Sequence, residues 1–238
     1  MKLPHTRSVR ANDHILQTPD SFVRSPLPGM RRAAAVVHVG PAAGARFAQY
    51  TVEFEPGGML APSEAQRFVF VLDGELEEPR KLSAGHYIYI PPAEDVDVRA
   101  ATAARAMVME VPRVSASPKP AMFSGEEASA PSKPFLGDDA IAVRTLVPDS
   151  PTYDFAVNTM TFQPGAHLPL VESHVMEYGV FLLQGGGIFR LGDKWHLVEA
   201  GDFIWIGPYC PQWFGALGKA PARYLIYKDW NRTPLDGL

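Results

Sequence analysis

The chain has 238 residues, of which 46% are hydrophobic and 20% charged, and its net charge is -4. This balance provides no basic field for a polyanion, so we expect no nucleic acid partner. No apolar run approaches the length of a membrane span, and the N-terminal residues lack the apolar core of a signal peptide. We therefore expect no membrane partner and a cytoplasmic location.

Proline and glycine punctuate the whole chain, with 23 and 20 residues respectively. They separate short runs rich in Val, Ile, Phe, Tyr and Trp, a pattern typical of many short strands and few helices. The single cysteine, Cys210, has no partner for an intramolecular disulfide, which agrees with a reducing compartment. We interpret Cys210 as a small apolar filler.

In chain order, residues 1 to about 32 are expected to form an extended arm over a sheet. Residues 113–134 are rich in Ser, Ala, Pro and Lys without periodicity, which predicts an inter-domain linker. Strands are predicted before the linker at 34–39, 48–54, 67–72, 86–90 and 106–111. After it they are predicted at 140–147, 155–162, 178–183, 187–191, 195–198, 203–206, 212–216 and 223–228.

The two halves of the chain repeat one another. The runs TVEFEPGG, FVFVLDGEL and LSAGHYIYIPP are followed in the second half by NTMTFQPGA, GVFLLQGGG and VEAGDFIWIGP, with Gly74 matching Gly185. This order of strands and glycine turns is typical of a cupin barrel. It predicts an all-β bicupin of two jelly-roll β-barrels: an N-terminal barrel with its arm at 1–112, a linker at 113–134 and a C-terminal barrel at 135–238.

Candidate metal ligands occur in only one of the two predicted barrels. On the strand that opens the second repeat, alternation places Glu172, His174 and Tyr178 on one face, and Gln212 follows on a later strand. The matching positions of the first repeat are Ala61, Ser63 and Arg67. The N-terminal barrel is therefore expected to bind no metal and to have a structural role.

The ligand set is rich in oxygen, which favours Mn²⁺ or Fe²⁺ and leaves Zn²⁺ as an alternative. Strand parity places Glu177 on the opposite face, although a bulge would turn it inward. His167 is a further candidate in a turn. On the last strand, Tyr224 and Lys228 share a face and are expected to point into the same cavity.

Several long motifs run nearly from end to end. They are TRSV from Thr6, TPDSFVRSPLPG from Thr18, YDFAVNTMTFQPG from Tyr153, E-x-H from Glu172, GDFIWIGPYCPQW from Gly201 and YLIYKDWNR from Tyr224. In this order the motifs resemble those of the (S)-ureidoglycine aminohydrolases, bicupin enzymes of purine catabolism also known as glyoxylate-induced proteins.

The resemblance implies a site and a reaction. Members of that family bind Mn²⁺ in the C-terminal barrel through Glu, two His and Gln, and release ammonia from (S)-ureidoglycine to give ureidoglycolate. Three of the four ligands match Glu172, His174 and Gln212. The substrate-contacting Tyr and Lys of the family match Tyr224 and Lys228, the candidate catalytic residues.

Two positions depart from the family pattern. Tyr178 stands where the second histidine ligand is expected, and Phe189 stands where a tyrosine is usual. A neutral phenol is a poor ligand, so Tyr178 is a doubtful fourth donor and a metal-free barrel is an alternative. The leading hypothesis is a Mn-type aminohydrolase with a small-molecule ureide substrate. The alternatives are a degenerate bicupin that binds a small carboxylate or ureide, and a cupin dioxygenase or isomerase. We also expect a homo-oligomer.

Overall fold

The computed structural model describes residues 5–150 and 152–229. Trp230 and the two residues after it, which end the last motif, lie outside this part of the chain. The described residues contain no α-helix and only three short 3-10 helices, at Pro19–Ser21, Pro41–Ala43 and Glu127–Ser129. None of the described helices is long and apolar enough to cross a membrane. The all-β prediction is confirmed.

Two strands open the described chain, β1 (Val9–Arg10) and β2 (His14–Gln17). The next ten strands form the N-terminal barrel: β3 (Arg24–Ser25), β4 (Met30–Val39), β5 (Ala48–Leu60), β6 (Gln66–Asp73), β7 (Glu75–Leu76), β8 (Leu82–Ser83), β9 (His86–Ile90), β10 (Val98–Ala100), β11 (Ala104–Val111) and β12 (Phe123–Glu126). Its main sheet has the order β12-β9-β6-β11-β5-β4-β3, with β10 also on β5, and β7 pairs with β8.

The C-terminal barrel uses the remaining strands, which are β13 (Ser132–Phe135), β14 (Asp138–Val147), β15 (Phe155–Phe162), β16 (Tyr178–Gln184), β17 (Gly186–Leu191), β18 (Lys194–Glu199), β19 (Phe203–Ile206), β20 (Gln212–Leu217) and β21 (Ala222–Asp229). One sheet has the order β1-β2-β19-β16-β21-β15-β14-β13, and a smaller sheet has the order β18-β17-β20. Residues from both sheets share one apolar core. The bicupin prediction is confirmed.

The glycine turns show why the repeat is structural. Gly74 and Gly185 have φ values of +73° and +67°, which L side chains rarely adopt. A Cβ atom at Gly74 would lie 2.5 Å from the Ala103 carbonyl oxygen, and one at Gly185 would lie 2.6 Å from the Pro221 carbonyl oxygen. Both repeats therefore need glycine for the same two reasons, a left-handed turn and a close backbone approach.

Each compact unit includes a segment that is distant from the rest of it in the chain. Residues 5–22 group with the C-terminal unit, whose β19 pairs with β2, and residues 150 and 152–154 group with the N-terminal unit. The segment 113–134 is the predicted inter-domain linker. It contains β12, which pairs with β9, and the start of β13, which pairs with β14. These short strands are positioned by backbone pairing with distant strands. They contain too few apolar residues to be recognised from the sequence pattern.

In the N-terminal barrel, the position that matches Tyr178 carries a buried ion pair. Arg67 is 3% exposed and donates through Nε and Nη2 to Glu110 Oε1 over 2.9 and 2.7 Å. Its Nη1 donates to the Ala61 carbonyl oxygen over 2.8 Å. Burial and the neighbouring Glu110 raise the pKa of Tyr50, which keeps this phenol neutral. A guanidinium thus fills the position that matches Tyr178 of the other barrel.

Candidate metal centre and substrate cavity

A cavity of about 340 Å³ lies inside the C-terminal barrel. This volume suits a small ligand rather than a polymer. Apolar side chains make up most of the lining, and a few polar groups converge on it. The polar and ionisable lining residues are Asn158, Glu172, His174, Tyr178, Gln212, Tyr224 and Lys228. All six site residues expected from sequence therefore border the same cavity.

Backbone pairing places the first three candidate ligands. Glu172 and Gln212 form an isolated antiparallel bridge, in which each amide donates to the other carbonyl oxygen over 2.8 Å. The carbonyl oxygen of His174 accepts from the Tyr209 amide over 2.6 Å. His174 Nε2 lies 3.4 Å from Glu172 Oε2. A carboxylate, an imidazole and a carboxamide are thus held on neighbouring segments at one side of the cavity.

Tyr178 lies beside these groups but differs from them in chemistry. It begins β16, and its ring meets that of His174 edge to face with centroids 5.7 Å apart. Burial raises the pKa of the Tyr178 phenol, and the Glu172 carboxylate raises it further. The phenol therefore stays protonated in the described structure and has little capacity to act as an anionic ligand.

The last strand contributes a phenol and an ammonium. Tyr224 is buried, and its hydroxyl donates to Met160 Sδ over 3.3 Å. Burial and the Glu172 carboxylate raise the pKa of Tyr224, so its hydroxyl keeps its proton. Lys228 Nζ donates to Asp149 Oδ2 over 2.7 Å. Lys228 lies on β21 directly opposite Tyr178 of the neighbouring strand β16.

Two alternative ligands do not reach the cavity. Glu177 is 1% exposed and faces away from it, where its Oε2 accepts from the Trp205 indole over 3.0 Å. Its backbone amide donates to Asp229 Oδ1 over 2.7 Å. His167 packs against Trp213 with ring centroids 5.5 Å apart, and its Nδ1 contacts the Leu168 carbonyl oxygen. The continuous strand expected from Glu172 to Tyr178 is not formed: Glu172 makes an isolated bridge, residues 173–177 are irregular with a bend at 175–176, and β16 begins only at Tyr178.

Sequence reasoning missed Asn158 as a lining residue. Asn158 lies on β15 opposite Ile226 of β21, so its side chain shares the inward face of the barrel. Its Oδ1 is buried and has no hydrogen-bond partner among the described residues. The run Phe155–Phe162 also contains two threonines, so nothing in its sequence singled out Asn158. A buried acceptor at a cavity wall marks a place where a ligand N–H is needed.

The fold and this cavity define a bicupin in which the C-terminal barrel carries the candidate metal ligands. A family model described as a cupin domain matches residues 158–227, which include most of the cavity strands. The unmatched first half still repeats the same strand order, as the paired glycine turns show.

Similar proteins identify the family within the bicupins. The (S)-ureidoglycine aminohydrolase of Arabidopsis thaliana is 38% identical over 239 residues, covering 97% of this chain and 80% of that protein. The Escherichia coli enzyme of the same name is 27% identical over 237 residues, covering 94% and 91%. A Pseudomonas aeruginosa structure described as a glyoxylate-induced protein has a TM-score of 0.86 at 30% identity, covering 100% of this chain and 96% of that one. The chain belongs to the (S)-ureidoglycine aminohydrolase family of enzymes.

Proposed function

We propose that this protein hydrolyses (S)-ureidoglycine, releasing ammonia and leaving ureidoglycolate, with a divalent metal of the Mn²⁺ type in its C-terminal barrel. The carrying observation is the convergence of all six expected site residues on one cavity. Membership in the family supports the substrate, since its curated relatives in Arabidopsis and Escherichia coli carry that activity in their names.

The donor set fits a divalent cation through three residues. Glu172, His174 and Gln212 offer a carboxylate oxygen, an imidazole nitrogen and an amide oxygen on segments tied together by backbone hydrogen bonds. Mostly hard oxygen donors with one imidazole suit Mn²⁺ or Fe²⁺. When bound, the metal would supply Lewis acidity and orient the substrate. Tyr178, as a neutral phenol, adds little to this set.

The remaining polar groups suit a small ureido acid. The Lys228 ammonium provides the positive charge that a substrate carboxylate requires, and Asp149 holds it in place. Asn158 presents a buried oxygen without a partner, which a ureido N–H would satisfy. The Tyr224 hydroxyl donates only to a thioether, a weak acceptor that a ligand oxygen or amine replaces readily. Tyr224 and Lys228 are thus the groups placed to give a proton to the departing amine.

The direct test is ammonia release from freshly prepared ureidoglycine by purified protein with Mn²⁺. The wild-type protein is expected to be active, and His174→Gln is expected to lose both metal and activity. His167→Gln is the matched control, because this imidazole lies near in sequence but borders another surface of the barrel. Absence of ammonia release while metal is demonstrably bound would contradict the proposal.

A second function, binding of a ureide or carboxylate without catalysis, is favoured by Tyr178. A neutral phenol in place of an anionic or imidazole donor weakens a four-ligand site. Calorimetry with N-carbamoylglycine, a stable ureido acid, separates the two functions. Tight binding by metal-free protein together with absent turnover would support the binder, whereas metal-dependent turnover supports the enzyme.

A further inference from the structure

A second group of metal-binding side chains lies at one end of the C-terminal barrel. Asp13 and His14 stand at the start of β2, and Cys210 lies in the loop between β19 and β20. The segments are joined by backbone contacts, since the Gly207 amide donates to the Asp13 carbonyl oxygen over 2.8 Å and the Cys210 amide donates to the Gly207 carbonyl oxygen over 3.2 Å. These three residues have no part in the cavity described above.

Their donor atoms converge. One carboxylate oxygen, one imidazole nitrogen and the thiol sulfur all lie within 4.8 Å of one another. His14 Nδ1 is 2.8 Å from Asp13 Oδ1. His14 and Cys210 are 4% and 3% exposed, while the Asp13 carboxylate is partly open to solvent. A cation could therefore enter from the Asp13 side and reach two buried donors.

Gly192 is the turn residue beside these donors, and a Cβ there would be in ordinary van der Waals contact with them. A Cβ atom there would lie 3.4 Å from Asp13 Oδ2 and about 4 Å from His14 Cε1 and Nδ1. Gly192 also has φ +60°, in the turn between β17 and β18. The turn residue nearest the donors is thus the smallest one.

The nitrogen on the far side of the His14 ring is an independent sign that a ligand is missing. His14 Nε2 is buried and has no hydrogen-bond partner among the described residues, and the same is true of His196 Nε2. The two rings are neighbours, with centroids 5.7 Å apart and an interplanar angle of 62°. Two bare, buried imidazole nitrogens in one place are costly, because neither has replaced its lost contact with water.

A metal on Nδ1 of His14 would place the imidazole proton on Nε2. His196 is the neighbouring ring that could accept it, although the two Nε2 atoms form no hydrogen bond in the described structure, so a ring must rotate for that bond to form. Ligand histidines commonly donate their other ring N–H to such an outer partner.

We propose that Asp13, His14 and Cys210 form a second cation site that binds a borderline divalent metal of the Zn²⁺ class, with His196 as the outer hydrogen-bond partner of His14. Carboxylate, imidazole and thiolate are the donors that Zn²⁺ takes in proteins, with water in the fourth position. On binding, the Cys210 thiol proton leaves to solvent and the sulfur–metal bond forms. The site would tie the N-terminal strand β2 to the loop that leads into β20.

The test uses Co²⁺ as a spectroscopic substitute for Zn²⁺ on the reduced full-length protein. Cys210 is the single cysteine of the chain, so a thiolate-to-cobalt charge-transfer band reports this site alone. We expect the band in wild-type protein, its loss in Cys210→Ser, and its persistence in the Glu172→Gln, His174→Gln double variant, which removes ligands of the cavity. Metal counting should show Cys210→Ser one equivalent below wild type.

Two further measurements keep the test decisive. His196→Phe should weaken Co²⁺ affinity by about ten- to a hundredfold while keeping the band, as the loss of an outer partner does. Zn²⁺ should also slow the reaction of the Cys210 thiol of folded wild-type protein with a thiol reagent, under conditions in which the protein is not unfolded. This measurement needs no variant. Absence of the band in wild type, or no protection by Zn²⁺, would overturn the proposal.

Discussion

Tyr178 is the residue that most affects the expected metal affinity of the cavity. It stands among three good donors, yet its oxygen carries a proton because burial and the Glu172 carboxylate both oppose ionisation of the phenol. A divalent cation would favour the phenolate, but it must overcome that cost. The cavity is therefore expected to hold its metal more weakly than a barrel with a second imidazole.

Tyr178→His should raise the affinity of the barrel for Mn²⁺ by about tenfold or more, because an imidazole donates a lone pair without having to lose a proton near neutral pH. Competition against a chelator measures the change. Tyr178→Phe is the matched control and should leave the affinity near the wild-type value. A large loss of affinity in Tyr178→Phe would show instead that the phenol oxygen is a ligand.

At the residue scale, the alternation of side chains along strands was the main basis for predicting which residues line the cavity. Alternation along β21 correctly placed Tyr224 and Lys228 at the cavity. Glu177 also lies outside the cavity, but strand alternation is not the reason, because residues 173–177 form no strand and the Glu177 carboxylate binds the Trp205 indole. Asn158 was missed since nothing in its own sequence run distinguishes an inward amide from an outward one. The metal and its identity stay predictions, as no donor atom alone selects a cation.

At the scale of elements, the N-terminal arm is held by the pairing of β2 with β19 and by the guanidinium of Arg7. Arg7 donates to both oxygens of Asp202 over 2.6 and 3.0 Å, and to Glu199 Oε1 over 2.6 Å. Asp202 has no exposed surface and also accepts from the Glu199 amide over 2.9 Å. The arm thus adds the hydrogen bonds of a buried carboxylate to its strand pairing with the C-terminal barrel.

Asp202→Asn should lower the free energy of unfolding of the C-terminal barrel by about 2 kcal/mol, since it removes a charged acceptor and leaves Arg7 without its buried partner. Urea denaturation followed by tryptophan fluorescence checks the loss. Lys194→Gln, which breaks an exposed pair with Asp193 in the same barrel, should leave the midpoint unchanged. An Asp202→Asn midpoint equal to wild type would show that the arm contributes nothing.

The predicted strands matched where the runs were long, as in Phe155–Phe162 and Tyr178–Gln184. The short strands β7, β8, β10, β12 and β13 were not predicted. Strands of two to four residues such as β10 and β12 carry too few side chains to show a period of two. Their existence depends on a partner strand distant in sequence, which no local pattern contains.

At the scale of the whole molecule, a buried histidine links stability to pH. His38 is 5% exposed, and burial lowers its pKa to about 3, while its Nε2 contacts Thr51 Oγ1 at 2.8 Å. Its ordinary pKa is 6.5. Between these two values the unfolded chain binds more protons than the folded one, so stability is lost as pH falls.

The loss from His38 alone should approach about 2 kcal/mol on going from about pH 7 to about pH 5. Denaturation of wild type and His38→Gln at both pH values measures it, because the carboxylates shared by the two proteins cancel in the difference. His86→Gln, at a partly exposed position, should keep the wild-type pH dependence. Equal slopes for His38→Gln and wild type would contradict this account.

The sequence repeat predicted the two barrels. It did not predict that residues 5–22 group with the C-terminal unit, or that residues 150 and 152–154 group with the N-terminal unit. Both segments are placed by long-range partners, β19 for the arm and the N-terminal unit for residues 150 and 152–154. The expected homo-oligomer and cytoplasmic location stay predictions.

The ion pair of Arg67 and Glu110 gives the two halves different dependence on their surroundings. In the N-terminal barrel, the position that matches Tyr178 holds a guanidinium of the chain itself, bound to Glu110. On the proposed function, the C-terminal barrel takes its cation from solution. We therefore expect metal starvation to change the site in one half of the polypeptide and to leave the other half unchanged.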